Sequence, residues 1–243
     1  MTTAPPADAV TALVVQRLTV LRARVADAAS AAGRDPAEVR ILLASKTMTV
    51  PVVRAAVLAG GTLLGENRVQ ELVAKAPELV DLSPTWHVIG PLQSNKVNAA
   101  LNWATTVQSV DGVGLAERLA RRCAVLDRDL DVMVQVNVSG EPTKSGVPPE
   151  GAVELATAVA ALPRLRLTGL MTIGARSADE ALVRSGFATL RALRDAVLAS
   201  DAPGTAEARE LSMGMSSDLD LAIAEGSTMV RIGSAVFGPR ATR

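Results

Sequence analysis

Ile41-Leu42-Leu43-Ala44-Ser45-Lys46 reads as a short buried strand that ends in a lysine, and apolar runs of the same kind recur along the chain. They stand at 41–45, 62–65, 86–89, 105–110, 132–138, 167–173, 209–213 and 228–232. Between them, stretches with helical periodicity lie at 50–59, 67–80, 93–102, 112–126, 149–161, 178–199 and 215–225. Strand and helix alternate throughout, the order that a parallel sheet with helical crossovers requires. Eight such units in 243 residues match the size of a closed (β/α)8 barrel. A doubly wound open sheet is the structural rival, but it usually uses fewer strands and gives no reason for eight repeats. The expected fold is therefore α/β: one TIM-type (β/α)8 barrel, with residues 1–243 forming a single domain.

Ahead of the first strand, Ala7 to Ala32 predicts an extra helix, with Leu13, Val14, Leu18, Leu21 and Val25 on one face. It ends at Gly33. Asp35-Pro36-Ala37-Glu38 then carries the N-cap, proline and N3-glutamate signals of one more short turn. Past the eighth strand, Ala235-Val236-Phe237-Gly238-Pro239 is too short for a full last helix. The N-terminal helix is expected to fill that gap in the outer ring. Gly140 to Pro149 is the most loop-like segment, and it follows the fifth strand, on the rim where barrel sites are built.

Lys+Arg and Asp+Glu balance at 25 each and aromatics make up 2%. Neither a phosphate-tracking basic face nor a base-stacking platform is indicated, so nucleic acid is not an expected partner. Met1 to Ala7 lacks a basic region leading into an apolar run, and no long uncharged apolar stretch occurs, so a cytoplasmic protein without membrane contact is expected, as a monomer. One cysteine, Cys123, precludes an internal disulfide, and with His87 as the only histidine a Cys/His metal cage is precluded too. Cys123, in a helix beside Arg121 and Arg122, reads as a packing residue.

Only four of the 25 basic residues are lysines. Arginine would serve a surface charge equally well, but only lysine can lose its proton in a low-dielectric site and add to a carbonyl as a Schiff base. A strand-end lysine that simply snorkels to water is the plainer reading of Lys46. The tail of the chain tips the balance. Met229-Val230-Arg231-Ile232-Gly233-Ser234 is a strand ending in glycine, and Leu211-Ser212-Met213-Gly214-Met215-Ser216 precedes it. Both have the small, backbone-exposing composition that cradles a phosphate, and barrels often bind phosphate in the loops after strands seven and eight. A lysine that forms an aldimine, together with a phosphate cup, points to pyridoxal phosphate.

Strand ends converge on one rim, so Lys46, Asn67, His87, Asn137, Met171, Ser212 and Arg231 are expected to gather there. Ser216 or Ser217 also reads as an N-cap of the seventh crossover helix. Arg231, charged within an apolar strand, needs either a structural carboxylate or a ligand. A lone strand histidine such as His87 is more often a hydrogen-bonded core residue than a catalyst. Lys96 and Lys144, after strands three and five, default to solvated loop charge. The alternative for Lys144 is a transfer role, as a second, transient attachment point for an outgoing cofactor.

Ser45-Lys46-Thr47, Gly65-Glu66-Asn67-Arg68-Val69-Gln70-Glu71, Trp86 to Lys96, Lys144-Ser145-Gly146, Gly169-Leu170-Met171, Ser212 to Ser216 and Arg231 to Ser234 together resemble the pyridoxal phosphate homeostasis proteins. The likeness runs in order from about residue 10 to 240. It implies a barrel similar to the N-terminal domain of alanine racemase, the fold type III barrel of pyridoxal phosphate proteins without its C-terminal β domain. It also implies the cofactor on Lys46, phosphate contacts from Ser212, Gly233 and Ser234, and Arg231 at the pyridine nitrogen. Asn67 and His87 match family positions near the cofactor, and Met171 and Met213, inside two of the motifs, are counted with them. Arg68 stands where the family is often aromatic.

The function so implied is holding pyridoxal 5'-phosphate as a reversible lysine aldimine and buffering or delivering it, with apo forms of pyridoxal phosphate enzymes as possible recipients and no catalytic residue assigned. An arginine at the ring nitrogen disfavours its protonation and weakens the ring as an electron sink. The chain also has no tyrosine, so the familiar two-base racemase cannot be assembled. A weak amino-acid racemase and a cofactor-free Schiff-base aldolase barrel are the alternatives.

Overall fold

Among the described residues, 7–238, the computed structural model shows eight strands that pair in sequence order and close into a parallel barrel, β8 against β1. The strands are β1 (Arg40–Ala44), β2 (Leu63–Glu66), β3 (Thr85–Val88), β4 (Thr106–Val110), β5 (Leu130–Gln135), β6 (Leu165–Met171), β7 (Glu210–Ser212) and β8 (Met229–Ile232). The helices are α1 (Ala7–Ala31), α2 (Val50–Leu58), α3 (Val69–Lys75), α4 (Val97–Ala100), α5 (Val113–Val125), α6 (Ala152–Ala160), α7 (Glu180–Ala199), α8 (Leu219–Ala224) and α9 (Ser234–Phe237). The expected TIM-type barrel with an added N-terminal helix is the observed fold. The reading of Met1 to Pro6 as leaderless and that of Pro239 fall outside the described residues. No described helix is long and apolar enough to cross a membrane.

Both faces of each strand are buried, which is why the strands read as continuous apolar runs. Successive side chains nevertheless point to opposite sides of the wall. Leu42, Ala44, Ile89, Met133, Met171 and Met229 form a cluster inside the barrel, while Leu43, Leu64, Val88, Val132, Leu170 and Val230 belong to the larger core under the helices. Val14, Leu18, Leu21, Val25 and Ala29 form the buried stripe of α1. Each buried leucine or valine there contributes about 1.5–3 kcal/mol. Leu13 was expected on that stripe but is 42% exposed, since it lies one residue off the helical repeat. As anticipated, α1 closes the outer ring, touching α2, α8 and α9. Arg22 donates to the Ala59 carbonyl at 3.1 Å, Arg24 pairs with Asp220, and Arg17 reaches the Val236 carbonyl.

Three of the boundaries that differ from the sequence reading have a local reason. The helix expected over 67–80 stops at Lys75, because Pro77, which has no N–H to continue the ladder, opens a 3-10 turn over Pro77–Leu82. The helix expected from 215 starts at Leu219 behind Asp218, whose carboxylate holds the Met215 N–H at 2.5 Å, so neither Ser216 nor Ser217 is its N-cap. The fifth strand ends at Gln135, with Val136 making an isolated bridge to Val147 instead.

Candidate functional site

The β1 ladder runs one residue past the strand, with the Ser45 N–H donating to the Gly65 carbonyl at 3.0 Å. Ser45 is fully buried against the outer wall, and Lys46 follows, half-buried and in phase with the interior residues Leu42 and Ala44. The chain then turns sharply. Thr47 adopts φ 65°, and its N–H donates to Glu71 Oε2 at 2.6 Å.

A hydrogen-bond chain crosses the barrel interior below. Arg231 donates to Ser212 Oγ at 2.9 Å and to the Thr172 carbonyl at 2.6 Å. Ser212 Oγ donates to Gln108 Oε1 at 2.7 Å, and the Gln108 amide donates to His87 Nδ1 at the same distance. Every link runs in one direction, from the cation on β8 to the imidazole on β3. The last link requires a neutral imidazole with an acceptor at Nδ1. Burial and, next, the nearby Arg40 supply it, pushing the His87 pKa down to about 3. Arg231 is 6% exposed, and among the described residues no ion pair compensates it. Burial lowers its pKa to about 10, so it stays a cation at neutral pH. Of its two expected partners, a carboxylate or a ligand, no carboxylate among the described residues pairs with it, and Asp218 acts on it only at longer range.

The two glycine segments meet this interior at the rim. The Arg231 N–H donates to the Gly214 carbonyl at 2.9 Å, tying β8 to the turn after β7. Gly214 has φ 92°, and a Cβ there would lie 2.5 Å from Ala222 Cβ. Gly233 packs on β1, where a Cβ would lie 3.3 Å from the Ala44 carbonyl, two residues before Lys46. Ser234 is exposed, with its hydroxyl 3.4 Å from Ser216 Oγ, which also accepts the Ala235 N–H. Lys46, Arg231, Gly233 and Ser234 thus come together through the β8–β1 closure.

Other expected residues divide by strand phase. Met171 belongs to the interior cluster. Met213 does not: one residue after the inward Ser212, its side chain packs in the core beneath the helices. His87 was expected at the rim but occupies the interior and lines a cavity at the opposite, N-terminal mouth with Arg40, Thr85, Asp131 and Glu210. The cause is position: it precedes Val88, the last residue of β3, and alternation turns it inward. Asn137 is used within its own loop, donating to the carbonyls of Glu141 and Lys144. Lys144 is no freely solvated lysine, since it donates to Glu141 Oε1 at 2.6 Å and to the Gly174 carbonyl at 2.7 Å. Lys96 ends the 3-10 turn Ser94–Lys96, half-buried.

Among the described residues three buried acceptors have no protein donor: Asn67 Oδ1, Gln135 Oε1 and, behind the wall, Glu66 Oε2. Gln108, Gln135 and Thr172 escaped the sequence reading. The signal available was a fully polar amide inside the apolar runs of β4 and β5, which a buried strand tolerates only with partners.

Compared with known families, residues 17–241 match the family described as alanine racemase, N-terminal domain. A pyridoxal phosphate homeostasis protein of Pseudomonas aeruginosa is 46% identical over 228 residues, 93% of this chain and 96% of that one. The chain belongs to the pyridoxal phosphate homeostasis protein family. PipY of Synechococcus elongatus, solved with pyridoxal phosphate bound, aligns with TM-score 0.81 at 36% identity, covering 93% of this chain and 100% of that one. A protein of Bifidobacterium adolescentis aligns with TM-score 0.91 at 42% identity over 95% and 96% of the two chains. The curated relatives are named for homeostasis of the cofactor and not for a reaction.

Proposed function

We propose that this chain binds pyridoxal 5'-phosphate through a reversible covalent link to Lys46 and buffers or delivers it. One observation carries the reading: β8 and β1 bring together a strand-end lysine, a buried arginine with no ion pair among the described residues and a glycine turned onto the β1 carbonyl. The donor set fits the group. Gly233 leaves the wall free of a side chain, Asn67 Oδ1 and Gln135 Oε1 are buried acceptors awaiting donors, and Arg231 is a cation. When bound, the cofactor supplies an aldehyde to which a neutral primary amine adds reversibly.

The chain's own residues attach, orient and restrain. Lys46 is the attachment point. Gly233 and Ser234 offer backbone and hydroxyl donors to a phosphate, while Ser212, engaged by both Arg231 and Gln108, orients the arginine. Arg231 disfavours a second proton beside it, which limits stabilisation of carbanion charge. Asn67 and Met171 line the space, and His87 acts at one remove through Gln108. With no tyrosine in the chain, a second base opposite Lys46 has no familiar candidate.

Incubation of the purified protein with single-enantiomer alanine or serine tests this. No racemisation is expected, together with transfer of the cofactor to an apo-enzyme. Robust turnover lost on changing Lys46 would establish a racemase instead, and a colourless protein that takes up no cofactor would favour an aldolase-type barrel.

Gly233→Val is expected to weaken cofactor affinity about tenfold or more, equivalent to about 1.4 kcal/mol, because its side chain presses on the Ala44 carbonyl while the barrel persists. Absorbance titration measures it, and parent-like affinity would place the phosphate elsewhere. Delivery gives Lys144 a part: on the loop after β5, it would take up the outgoing cofactor after leaving Glu141 and the Gly174 carbonyl. Lys144→Ala should then leave equilibrium binding nearly unchanged but slow stopped-flow transfer to an apo-enzyme. Equal rates retire the role.

A further inference from the structure

We propose that Glu66, Lys75 and Glu71 are positioning residues for Lys46, an ion cluster behind the barrel wall that clamps the main chain on both sides of that lysine. The inference rests on Lys46 being the attachment point of the cofactor.

Lys75 closes α3 and turns its ammonium toward the wall, where it is 6% exposed. Its three protons meet three acceptors: the Ser45 carbonyl at 2.8 Å, Glu66 Oε1 at 2.7 Å and Glu71 Oε2 at 2.9 Å. The carboxylates carry the contact further. Glu66 Oε1 accepts the Ser45 hydroxyl at 2.8 Å, and Glu71 Oε2 accepts the Thr47 N–H at 2.6 Å. The residue before Lys46 is therefore held by its carbonyl and its hydroxyl, and the residue after it by its N–H. Thr47 is β-branched yet has φ 65°, a conformation such residues avoid unless their surroundings impose it.

Stability alone does not account for the cluster. Its neighbours on the same side of the wall, Leu43, Leu64 and Leu72, are fully buried and apolar. A well-packed apolar pair in place of a buried ion pair is often neutral or stabilising. Here two carboxylates face one ammonium, Glu66 Oε2 is buried with no partner, and burial raises the Glu66 pKa in spite of Lys75. What the ions supply and apolar side chains cannot is directed hydrogen bonding to the Ser45 carbonyl, the Ser45 hydroxyl and the Thr47 N–H. A lysine that must present its amine to an aldehyde gains from a fixed main chain, since small misplacements of a reacting group cost large factors in rate.

The test is the double variant Glu66→Leu with Lys75→Met, which removes both buried ions at once. Its melting temperature is expected to stay near that of the parent, the apolar replacement of the ions offsetting the partners that the Ser45 carbonyl and hydroxyl lose, while affinity for pyridoxal phosphate falls roughly tenfold. A second readout needs no cofactor: reductive methylation of Lys46 with formaldehyde and cyanoborohydride, followed by peptide mass mapping, should slow about threefold with Lys144 as an unchanged internal reference. If the double variant does not fold, Glu71→Ala, on the outer side of the cluster, frees the Thr47 N–H and removes one of the three acceptors of Lys75, and should shift both readouts in the same direction. Parent-like affinity and Lys46 labelling in the folded variant would overturn the proposal. A parent protein that carries no adduct on Lys46 would instead sink the functional reading, while the labelling comparison would still report on the clamp.

Discussion

Replacing Lys46 with alanine is expected to eliminate the pyridoxyl adduct that borohydride fixes on the parent protein. The covalent link needs a primary amine, and Lys46 is the one lysine that continues the interior phase of a strand, beyond Leu42 and Ala44. Lys75 is buried among its acceptors, and Lys144 is held by Glu141 and Gly174 on another loop. The fold should persist, with a change within about 1 kcal/mol, because the local main chain is held through Ser45 and Thr47 and not by this side chain alone. Residual, weaker binding through the phosphate contacts and Arg231 is expected. Reduction followed by peptide mass mapping checks the assignment, and an adduct found on Lys96 or Lys144 of the parent, and not on Lys46, would show that the attachment point is elsewhere.

Gly169→Ala is expected to produce the largest loss of stability among single methyl additions in the wall. A Cβ at Gly169 would lie 1.9 Å from the Glu210 carbonyl oxygen and 2.8 Å from its Cα, so main chain and not a flexible side chain stands in the way. β6 and β7 pair at this point, Gly169 with Glu210, and must separate or shift register to admit the methyl. The cost belongs at the upper end of the about 1–3 kcal/mol typical of overpacking. In a chain of this length that lowers the melting temperature by roughly 6–12 °C. Binding should weaken as well, because Met171 and Ser212 pair two positions further along the same two strands. Calorimetry of parent and variant decides it, and an unchanged melting temperature would mean that the two strands do not approach as closely in solution.

Taken by itself, the sequence determined the order and number of the barrel elements, because periodicity and strand-helix alternation are local properties of the chain. It also singled out Lys46 and the glycine segments, since a lysine at a strand end and glycines after strands seven and eight are visible without partners. Helix ends were less legible where a competing turn intervened, as at Pro77 and Asp218. What only the tertiary structure decided is which side chains share the interior. Strand phase separates Ser212 from Met213 by a single residue and sends the second outward. The same closure joins Arg231, Ser212, Gln108 and His87, up to 144 positions apart in sequence, into one chain of hydrogen bonds. Lys75 carries no local mark of this, and the amide of Gln108 inside an apolar run marks only the need for partners and not which they are. Their importance comes from desolvation: a buried amide or ammonium must find its acceptors, and where those acceptors lie is set by how eight strands close and which helix covers them.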